Sequence, residues 1–218
     1  MKSIKLSRPA DLRDLFMQQG LHKDDLESNP FKQFENWYQQ TLKTDIAEPT
    51  AMSLATVDKQ GQPWQRMVLL KLYDEQGFIF FSNYGSRKAQ HIQHNNRVSL
   101  LFPWYPLGRQ VKITGRAEKI SVAESLKYFS TRQRGSQLGA WSSHQSQVIK
   151  TRALLDTMVE KIKQKFAEGE VPLPDFWGGY RVRPASFEFW QARENRLHDV
   201  FFYQPDDNKG WKIQRLAP

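Results

Sequence analysis

The segment AMSLATVDKQGQPWQRMVLLKLYDEQGFIFFS, residues 51–82, decides the fold of this 218-residue chain. Three strand-like runs, 51–57, 63–73 and 78–82, are separated by the short segments 58–61 and 74–77. Each separator begins with Asp and ends with Gly, residue types that are typical of tight turns. Short strands joined by Gly-containing turns predict an antiparallel meander.

Helical patterns precede this meander and interrupt the strands that follow it. Two N-terminal helices are predicted, one over residues 8–19 and one that opens at Asn29-Pro30. Further helices are expected over 86–95, from the capping box that begins at Ser121 to Gln133, and over 146–167.

Strand patterns return at 97–104, 109–120 and 180–191, and a last hairpin pairs 200–204 with 211–216. The sequence therefore predicts an α+β fold, an antiparallel β-barrel with inserted and flanking helices. We expect a single domain over residues 1–218, with residues 1–48 as an N-terminal helical extension.

The composition narrows the classes of function. The chain has no cysteine, which excludes disulfides and thiolate chemistry and fits a reducing, cytoplasmic compartment. No run approaches the roughly 18 apolar residues of a membrane span, and residues 1–10 lack the apolar centre of a secretory signal. The net charge of +9 is dispersed, so a solvated basic surface, phosphorylated ligands and nucleic acid all stay open.

Two pairs of cations are candidates for holding an anion. Arg87 and Lys88 fall in the first turn of the helix predicted from residue 86, where the partial positive charge of a helix N-terminus disfavours cations unless an anion binds. Either Arg87 and Lys88 form a phosphate site, or their side chains extend into solvent.

Arg66 and Lys71 flank an apolar strand, and their odd separation puts them on opposite faces unless a bulge intervenes. Either the two residues are ordinary charges at the ends of a strand, or they contact different ends of one ligand.

A second candidate site lies around the capped helix. Tyr128 and Arg132 are four residues apart and share a helix face, and Ser136 follows closely. A phenol, a guanidinium and a hydroxyl that converge there suit a second phosphate, although an exposed face is the alternative. Arg196 and His198 share one face of an extended segment. The other four histidines show no ligand spacing, so no metal site is predicted: His22, His91, His94 and His144.

Five motifs occur along the chain in a recognisable order: 66–71 (RMVLLK), 85–88 (GSRK), 99–104 (SLLFPW), 176–179 (FWGG), and 187–191 (FEFWQ) followed by 196–199 (RLHD). In this order the chain resembles the pyridoxamine/pyridoxine 5'-phosphate oxidase family from about Leu12 to Pro218. The resemblance implies an FMN-binding split barrel and a homodimer with FMN at the subunit interface. It also implies that residues 171–218 serve dimerisation and substrate binding.

The resemblance assigns roles to individual residues. Those implied to contact FMN are Arg66, Met67, Val68, Leu69, Leu70, Lys71, Phe81, Ser82, Arg87, Lys88, Gln110, Gln145, Ser146 and Trp190. Those implied to bind substrate are Arg13, Lys71, Tyr128, Arg132, Ser136, Arg196 and His198. Arg196 and His198 are the implied catalytic pair, which orients the reacting carbon over the flavin.

The chain departs from the family pattern at several positions. Val200 stands where an Arg usually contacts FMN, and Phe16 stands where a Tyr commonly closes over the substrate. Ala192-Arg193 replaces a usual Gly-Gly, and Phe81 replaces a frequent Tyr. The Val200 departure removes a contact worth roughly 1.5–3 kcal/mol, for which Arg193 is a candidate replacement.

The function implied is FMN-dependent oxidation of pyridoxine 5'-phosphate and pyridoxamine 5'-phosphate to pyridoxal 5'-phosphate. Oxygen is the electron acceptor and gives hydrogen peroxide, and the amine also releases ammonia. One alternative is a split-barrel FMN reductase, which has no need of the substrate-phosphate residues. Another is a non-catalytic flavin- or vitamer-binding protein. A nucleic-acid-binding protein is supported only by the net charge, because no basic cluster occurs.

Overall fold

The computed structural model describes residues 8–142, 145, 146, 149, 151–207 and 210–218. His144 and three residues of the helix predicted over 146–167, namely 147, 148 and 150, lie outside this part. The described helices are α1 (Pro9–Gln19), α2 (Pro30–Leu42), α3 (Arg87–His94), α4 (Val122–Thr131), α5 (Arg134–Ser142) and α6 (Arg152–Lys165). The described strands are β1 (Ala51–Val57), β2 (Pro63–Leu69), β3 (Leu72–Asp74), β4 (Gly77–Asn83), β5 (Arg97–Phe102), β6 (Arg109–Lys119), β7 (Trp177–Gln191), β8 (Asp199–Pro205) and β9 (Trp211–Leu216).

All strand pairs are antiparallel, in the order β2-β1-β5-β6-β7-β4-β3. The 15-residue β7 divides the sheet, because its first part pairs with β4 and its last part pairs with β8. The strand β6 runs along both parts of β7, with a register shift between Thr114 and Gly115. The predicted antiparallel α+β architecture is confirmed, and the division at β7 leaves the barrel split.

The predicted strand 63–73 is in fact two strands. The Leu70 N–H donates to Thr50 O at 2.9 Å, and the next N–H, from Lys71, donates to Ile79 O at 2.9 Å. The chain therefore leaves β1 and joins β4 between these two residues. This change of partner links the two ends of the strand order and curls the sheet around its core.

The core follows the alternation seen in the sequence. Along β1, Met52 and Leu54 are fully buried while their neighbours are half-buried. The helix α2 places Phe34 inside the barrel, with its ring centroid 4.9 Å from those of Phe78 and Phe102. Aromatic edge-to-face contacts at this distance add to the free energy of burial. Leu42, the last residue of α2, is 40% exposed.

Three predicted boundaries were wrong. The capped helix ends at Thr131 because Arg132 is extended (φ −74°, ψ 146°), and α5 follows it unpredicted. Two glycines within α5 weaken its helical pattern. The next helix starts at Arg152 rather than at Ser146, which has a φ of 72°. The strand β7 begins three residues early, because Trp177 pairs with Asn83.

None of the described helices is long and apolar enough to cross a membrane.

Candidate cofactor and substrate site

A cavity of about 940 Å³ opens between β2, β4, the start of α3 and the α4–α5 region. Its size is near the upper end of the range for ligand pockets, roughly 300–1,000 Å³. Its described lining residues include five cations and no carboxylate: Arg66, Lys71, Arg87, Lys88 and Arg132. A cavity with this charge suits an anionic ligand, because none of the described residues on its walls neutralises the cations.

Lys88 is the most enclosed of these cations, with 8% exposure. Its Nζ donates to Gln145 Oε1 at 2.8 Å, to Ser82 Oγ at 3.0 Å and to Ser86 Oγ at 3.3 Å. Burial and the nearby charge of Arg66 lower the pKa of Lys88 to about 8. All three partners are neutral, so the ammonium charge is hydrogen-bonded but uncompensated, and an anion in the cavity would restore its ordinary pKa.

Arg66 and Arg87 extend this positive wall. Arg66 Nη1 donates to Leu54 O at 3.1 Å and to Thr56 Oγ1 at 2.6 Å. Burial, and then the charge of Arg87, lower the pKa of Arg66. The Arg87 guanidinium lies 4.5 Å from the centre of the Trp64 ring, a cation–π contact that fixes its direction.

Lys71 lines the same cavity as Arg66, although an uninterrupted strand would place them on opposite faces. The change of partner between β1 and β4 occurs at Leu70-Lys71 and breaks the alternation. The sequence alternative in which both residues contact one ligand is therefore geometrically available. Leu70, also expected to contact the cofactor, points into the core with 3% exposure and does not line the cavity.

A second polar cluster forms the α4–α5 side of the cavity. The Arg132 guanidinium lies 4.7 Å from the centre of the Trp177 ring. Its Nη1 atom is buried and has no hydrogen-bond partner among the described residues. Tyr128 stacks on Phe81 with ring centroids 3.9 Å apart, and burial raises the pKa of Tyr128. Because buried donors are nearly always hydrogen-bonded, the unpaired Nη1 indicates a missing acceptor.

The structure thus brings most of the predicted residues to one cavity. Those that line it are Arg66, Met67, Val68, Leu69, Lys71, Phe81, Ser82, Arg87, Lys88, Tyr128, Arg132, Ser136, Gln145 and Ser146. The sequence reasoning missed further lining residues, namely Trp64, Gln65, Asn83, Gly139, Ala140 and Trp177. Trp177 belongs to one of the five motifs, so a signal for it existed. Trp64 and Gln65 directly precede the motif at residues 66–71.

The remaining predicted residues lie elsewhere in the chain. Gln110, Trp190 and Val200 are direct cross-strand neighbours on β6, β7 and β8. The Trp190 ring centroid is 4.5 Å from that of His198. The Nδ1 atom of His198 accepts a hydrogen bond from the Arg193 N–H at 3.1 Å. The neutral His198 ring therefore carries its hydrogen on Nε2, which leaves that N–H as a donor to a ligand.

Backbone strain marks the turn that carries the predicted catalytic pair. Asn195 and Arg196 both adopt positive φ, 53° and 61°. Two consecutive non-glycine residues in this region are costly, and such strain concentrates at functional sites. The turn leaves Arg196 exposed just before the half-buried His198.

Two of the sequence departures have structural consequences. Arg193 Nη1 lies 3.8 Å from Asp199 Oδ2. Arg109 Cζ lies over the Phe16 ring, 3.6 Å from its centre, in a contact that the sequence did not suggest. Burial lowers the pKa of Arg109 to about 9.

The N-terminal substrate candidate, Arg13, stacks over the Tyr105 ring at 5.0 Å. It is absent from the lining of the cavity, as are Gln110, Trp190, Arg196 and His198. In the part of the chain that the structure describes, no group of three or more His, Asp or Glu side chains is arranged to hold a metal ion.

Solved structures share this architecture. The PhzG protein of Burkholderia lata, in complex with tetrahydrophenazine-1-carboxylic acid, is 29% identical with a TM-score of 0.84, covering 91% of this chain and 98% of its own. An FMN-binding protein of Nostoc punctiforme related to pyridoxamine 5'-phosphate oxidase shares the fold, with a TM-score of 0.70 at 14% identity over 86% of this chain and 96% of its own. The fold places the chain in the class of split-barrel proteins, and the cavity suits an anionic ligand.

Sequence comparison identifies the family within this class. The family described as pyridoxamine 5'-phosphate oxidase matches residues 38–166, and the C-terminal dimerisation region of pyridoxine 5'-phosphate oxidase matches residues 177–218. The pyridoxine/pyridoxamine 5'-phosphate oxidase of Crocosphaera subtropica is 59% identical, over 95% of this chain and 98% of its own length. That of Vibrio cholerae is 54% identical, over 96% and 99%. The chain belongs to the pyridoxamine 5'-phosphate oxidase family.

Proposed function

We propose that this chain is an FMN-dependent oxidase that converts pyridoxine 5'-phosphate and pyridoxamine 5'-phosphate to pyridoxal 5'-phosphate. Oxygen accepts the electrons and yields hydrogen peroxide, and the amine substrate also yields ammonia. The observation that carries the proposal is one cavity that holds a cationic cluster (Arg66, Arg87 and Lys88) and a polar cluster around Arg132, with no described carboxylate. Two phosphate-bearing ligands, a cofactor and a substrate, need two such groups of donors.

The first cluster would hold the FMN phosphate. Lys88 offers a buried ammonium, and Arg66 and Arg87 offer guanidinium donors whose planes are fixed by hydrogen bonds or by a ring. Charge-assisted hydrogen bonds from such fixed donors are the strong kind. FMN supplies the two-electron redox chemistry when bound, and the protein supplies position and electrostatics.

The second cluster would hold the substrate phosphate. The buried, unpaired Nη1 of Arg132 would find its acceptor there, with Tyr128 and Ser136 as further donors. This pairing would remove the cost of an unsatisfied buried donor, roughly 1–3 kcal/mol. Lys71, which lines the same cavity, would contact the flavin and the substrate.

The residues outside this cavity would complete the site in a homodimer. Gln110, Trp190 and His198 form one surface, and the strained turn presents Arg196 next to it. They lie in or beside β6–β8, and residues 177–218 match the family's dimerisation region. We propose that this surface of one subunit faces the cavity of the other, so that Arg196 and His198 orient the substrate over the flavin.

The proposed compartment is the cytoplasm. Cytosolic enzymes rarely depend on disulfides, and this chain contains no cysteine.

An absorbance spectrum tests the proposed activity. The protein is loaded with FMN, pyridoxine 5'-phosphate is added without oxygen, and air is then readmitted. We expect the flavin band near about 450 nm to bleach and then to return as pyridoxal 5'-phosphate appears. A band that stays unbleached with bound flavin would contradict the oxidase and favour a reductase or a non-catalytic binder.

Mixing two variants that are inactive under the same assay condition tests the shared site. At an FMN concentration well below the raised Kd of Lys88→Met, that variant lacks cofactor on the cavity side, and Arg196→Ala disables the opposing surface. In a symmetric dimer, random re-pairing restores about a quarter of the wild-type activity, because half of the dimers regain one intact site. A mixture that stays inactive would show that each site is built within one subunit.

A further inference from the structure

Behind Arg66 lies a chain of hydrogen bonds that leads away from the cavity. Arg66 Nη1 donates to Thr56 Oγ1 at 2.6 Å, and Thr56 Oγ1 lies 3.0 Å from His91 Nδ1. Thr56 is 1% exposed and His91 is 7% exposed, so neither lines the cavity. This relay of hydrogen bonds, from Arg66 through Thr56 to His91, connects β2, β1 and α3, the three elements around the first cationic cluster.

The chemistry of the groups fixes the direction of the first of these hydrogen bonds. A guanidinium has no acceptor, so Arg66 donates to the hydroxyl oxygen of Thr56. The hydroxyl hydrogen of Thr56 is then free to be donated to His91 Nδ1. In the neutral tautomer that carries its hydrogen on Nε2, His91 Nδ1 accepts this hydrogen.

The charges around His91 favour this neutral ring. Arg66 on β2 and Arg87 on its own helix both disfavour an imidazolium, and Asp58 in the β1–β2 turn favours one. Burial is the largest influence, and together these effects lower the pKa of His91. Asp58 is in turn occupied by the Trp64 indole N–H at 2.9 Å.

We infer that Thr56 and His91 are positioning residues that hold the Arg66 guanidinium for the phosphate of the cofactor. Two acceptors, Leu54 O and Thr56 Oγ1, anchor one nitrogen of the planar group, and His91 orients the Thr56 hydroxyl. The anchored plane leaves the other N–H donors of Arg66 for the cavity. Fixing a side chain before binding removes the entropic cost of ordering it later. This inference rests on the proposed role of Arg66 in FMN binding.

Comparison of FMN with riboflavin tests the inference, because riboflavin lacks only the phosphate. Thr56→Val keeps the shape of the side chain and removes the hydroxyl. We expect FMN affinity, measured by flavin fluorescence quenching, to fall about tenfold while riboflavin affinity is unchanged. Thr41→Val is the matched control, since it removes another fully buried hydroxyl, which donates to Trp37 O at 2.9 Å in α2. It should leave the ratio of the two affinities unaltered.

Variants of His91 provide a second arm that does not depend on Thr56→Val folding. His91→Asn keeps an acceptor oxygen near the position of Nδ1, and His91→Leu removes the acceptor. The FMN-to-riboflavin affinity ratio should fall in His91→Leu and recover in His91→Asn. A role limited to packing predicts equal ratios in both, and that result would overturn the relay.

A third variant separates failure of the relay from failure of the proposed function. Arg66→Met should lower the affinity ratio, and adding Thr56→Val to it should lower the ratio no further. If Arg66→Met lowers the ratio and Thr56→Val alone does not, the relay is overturned and the phosphate contact stands. If Arg66→Met leaves the ratio unchanged, the contact between Arg66 and the FMN phosphate is overturned, and so is the inferred role of the relay.

Discussion

Replacing Lys88 with methionine should have opposite effects on the empty protein and on cofactor binding. Burial brings the pKa of Lys88 from its ordinary 10.5 to about 8. At about 1.36 kcal/mol for each unit by which the pKa is lowered, burying the ammonium lowers the unfolding free energy by roughly 3 kcal/mol at pH 7. Partial solvent screening reduces this cost to about 2 kcal/mol. The charge is present in both folded and unfolded chains at pH 7, so this cost is fully present there.

Methionine removes that cost and leaves three polar partners behind. Ser82 Oγ lies 3.2 Å from Gln145 Oε1 and 3.4 Å from Ser86 Oγ, so these groups can pair with each other. We expect a net gain of about 1–2 kcal/mol in the unfolding free energy of the empty protein. For a chain of this size that raises the melting temperature by about 3–6 °C.

The same substitution should weaken FMN binding. Losing a hydrogen bond from a charged donor to the phosphate costs roughly 1.5–3 kcal/mol, which is about a 10- to 150-fold rise in Kd. Thermal melts of the empty protein and fluorescence titrations with FMN measure the two effects. Lys32→Met, at an exposed position on α2, should change neither. A lower melting temperature, or an unchanged Kd for FMN, would refute the reasoning.

The remaining predictions concern the other parts of the site. Arg132→Met should raise the KM for pyridoxine 5'-phosphate about tenfold or more while the Kd for FMN stays the same, because we propose that its Nη1, unpaired among the described residues, binds the substrate phosphate; a changed FMN affinity alone would assign Arg132 to the cofactor instead. The Kd for FMN should rise as pH passes about 8, where Lys88 loses its proton, and titrations from pH 7 to 9.5 should show no such rise in Lys88→Arg. Val200→Arg should tighten FMN binding about tenfold by restoring a donor beside Trp190, and equal or weaker binding would mean that the contact is not simply missing. Arg196→Ala should raise KM or lower kcat in steady-state assays with FMN still bound, whereas unaltered kinetics would remove Arg196 from the site.

Much of the architecture was predictable because it depends on local pattern. The alternation in β1, the Gly-containing turns and the capping box at Ser121 each appear in the structure as expected. The capping box closes with Glu124 N–H to Ser121 Oγ at 3.1 Å and Ser121 N–H to Glu124 Oε2 at 3.0 Å. Such signals involve neighbours in sequence, so no knowledge of distant residues is needed.

The misplaced elements share a different cause. The break between β2 and β3 is made by hydrogen bonds to Thr50 and Ile79, each of which belongs to a different neighbouring segment. The early start of β7 is made by pairing with β4. No pattern within residues 63–73 or 177–180 encodes these partners, because register is set by the strand alongside.

The sequence alone determined which residues could bind an anion, since charge and hydrogen-bonding capacity belong to the side chains of Arg66, Lys88 and Arg132 whatever the fold. Only the tertiary structure decided that all three line one cavity without a described carboxylate, and that Arg132 Nη1 is buried with no partner in the described part of the chain. It also decided that Thr56 and His91 stand behind Arg66. These properties depend on distances between residues far apart in the chain and on the removal of water, which come into being only when the strands pair and the core closes.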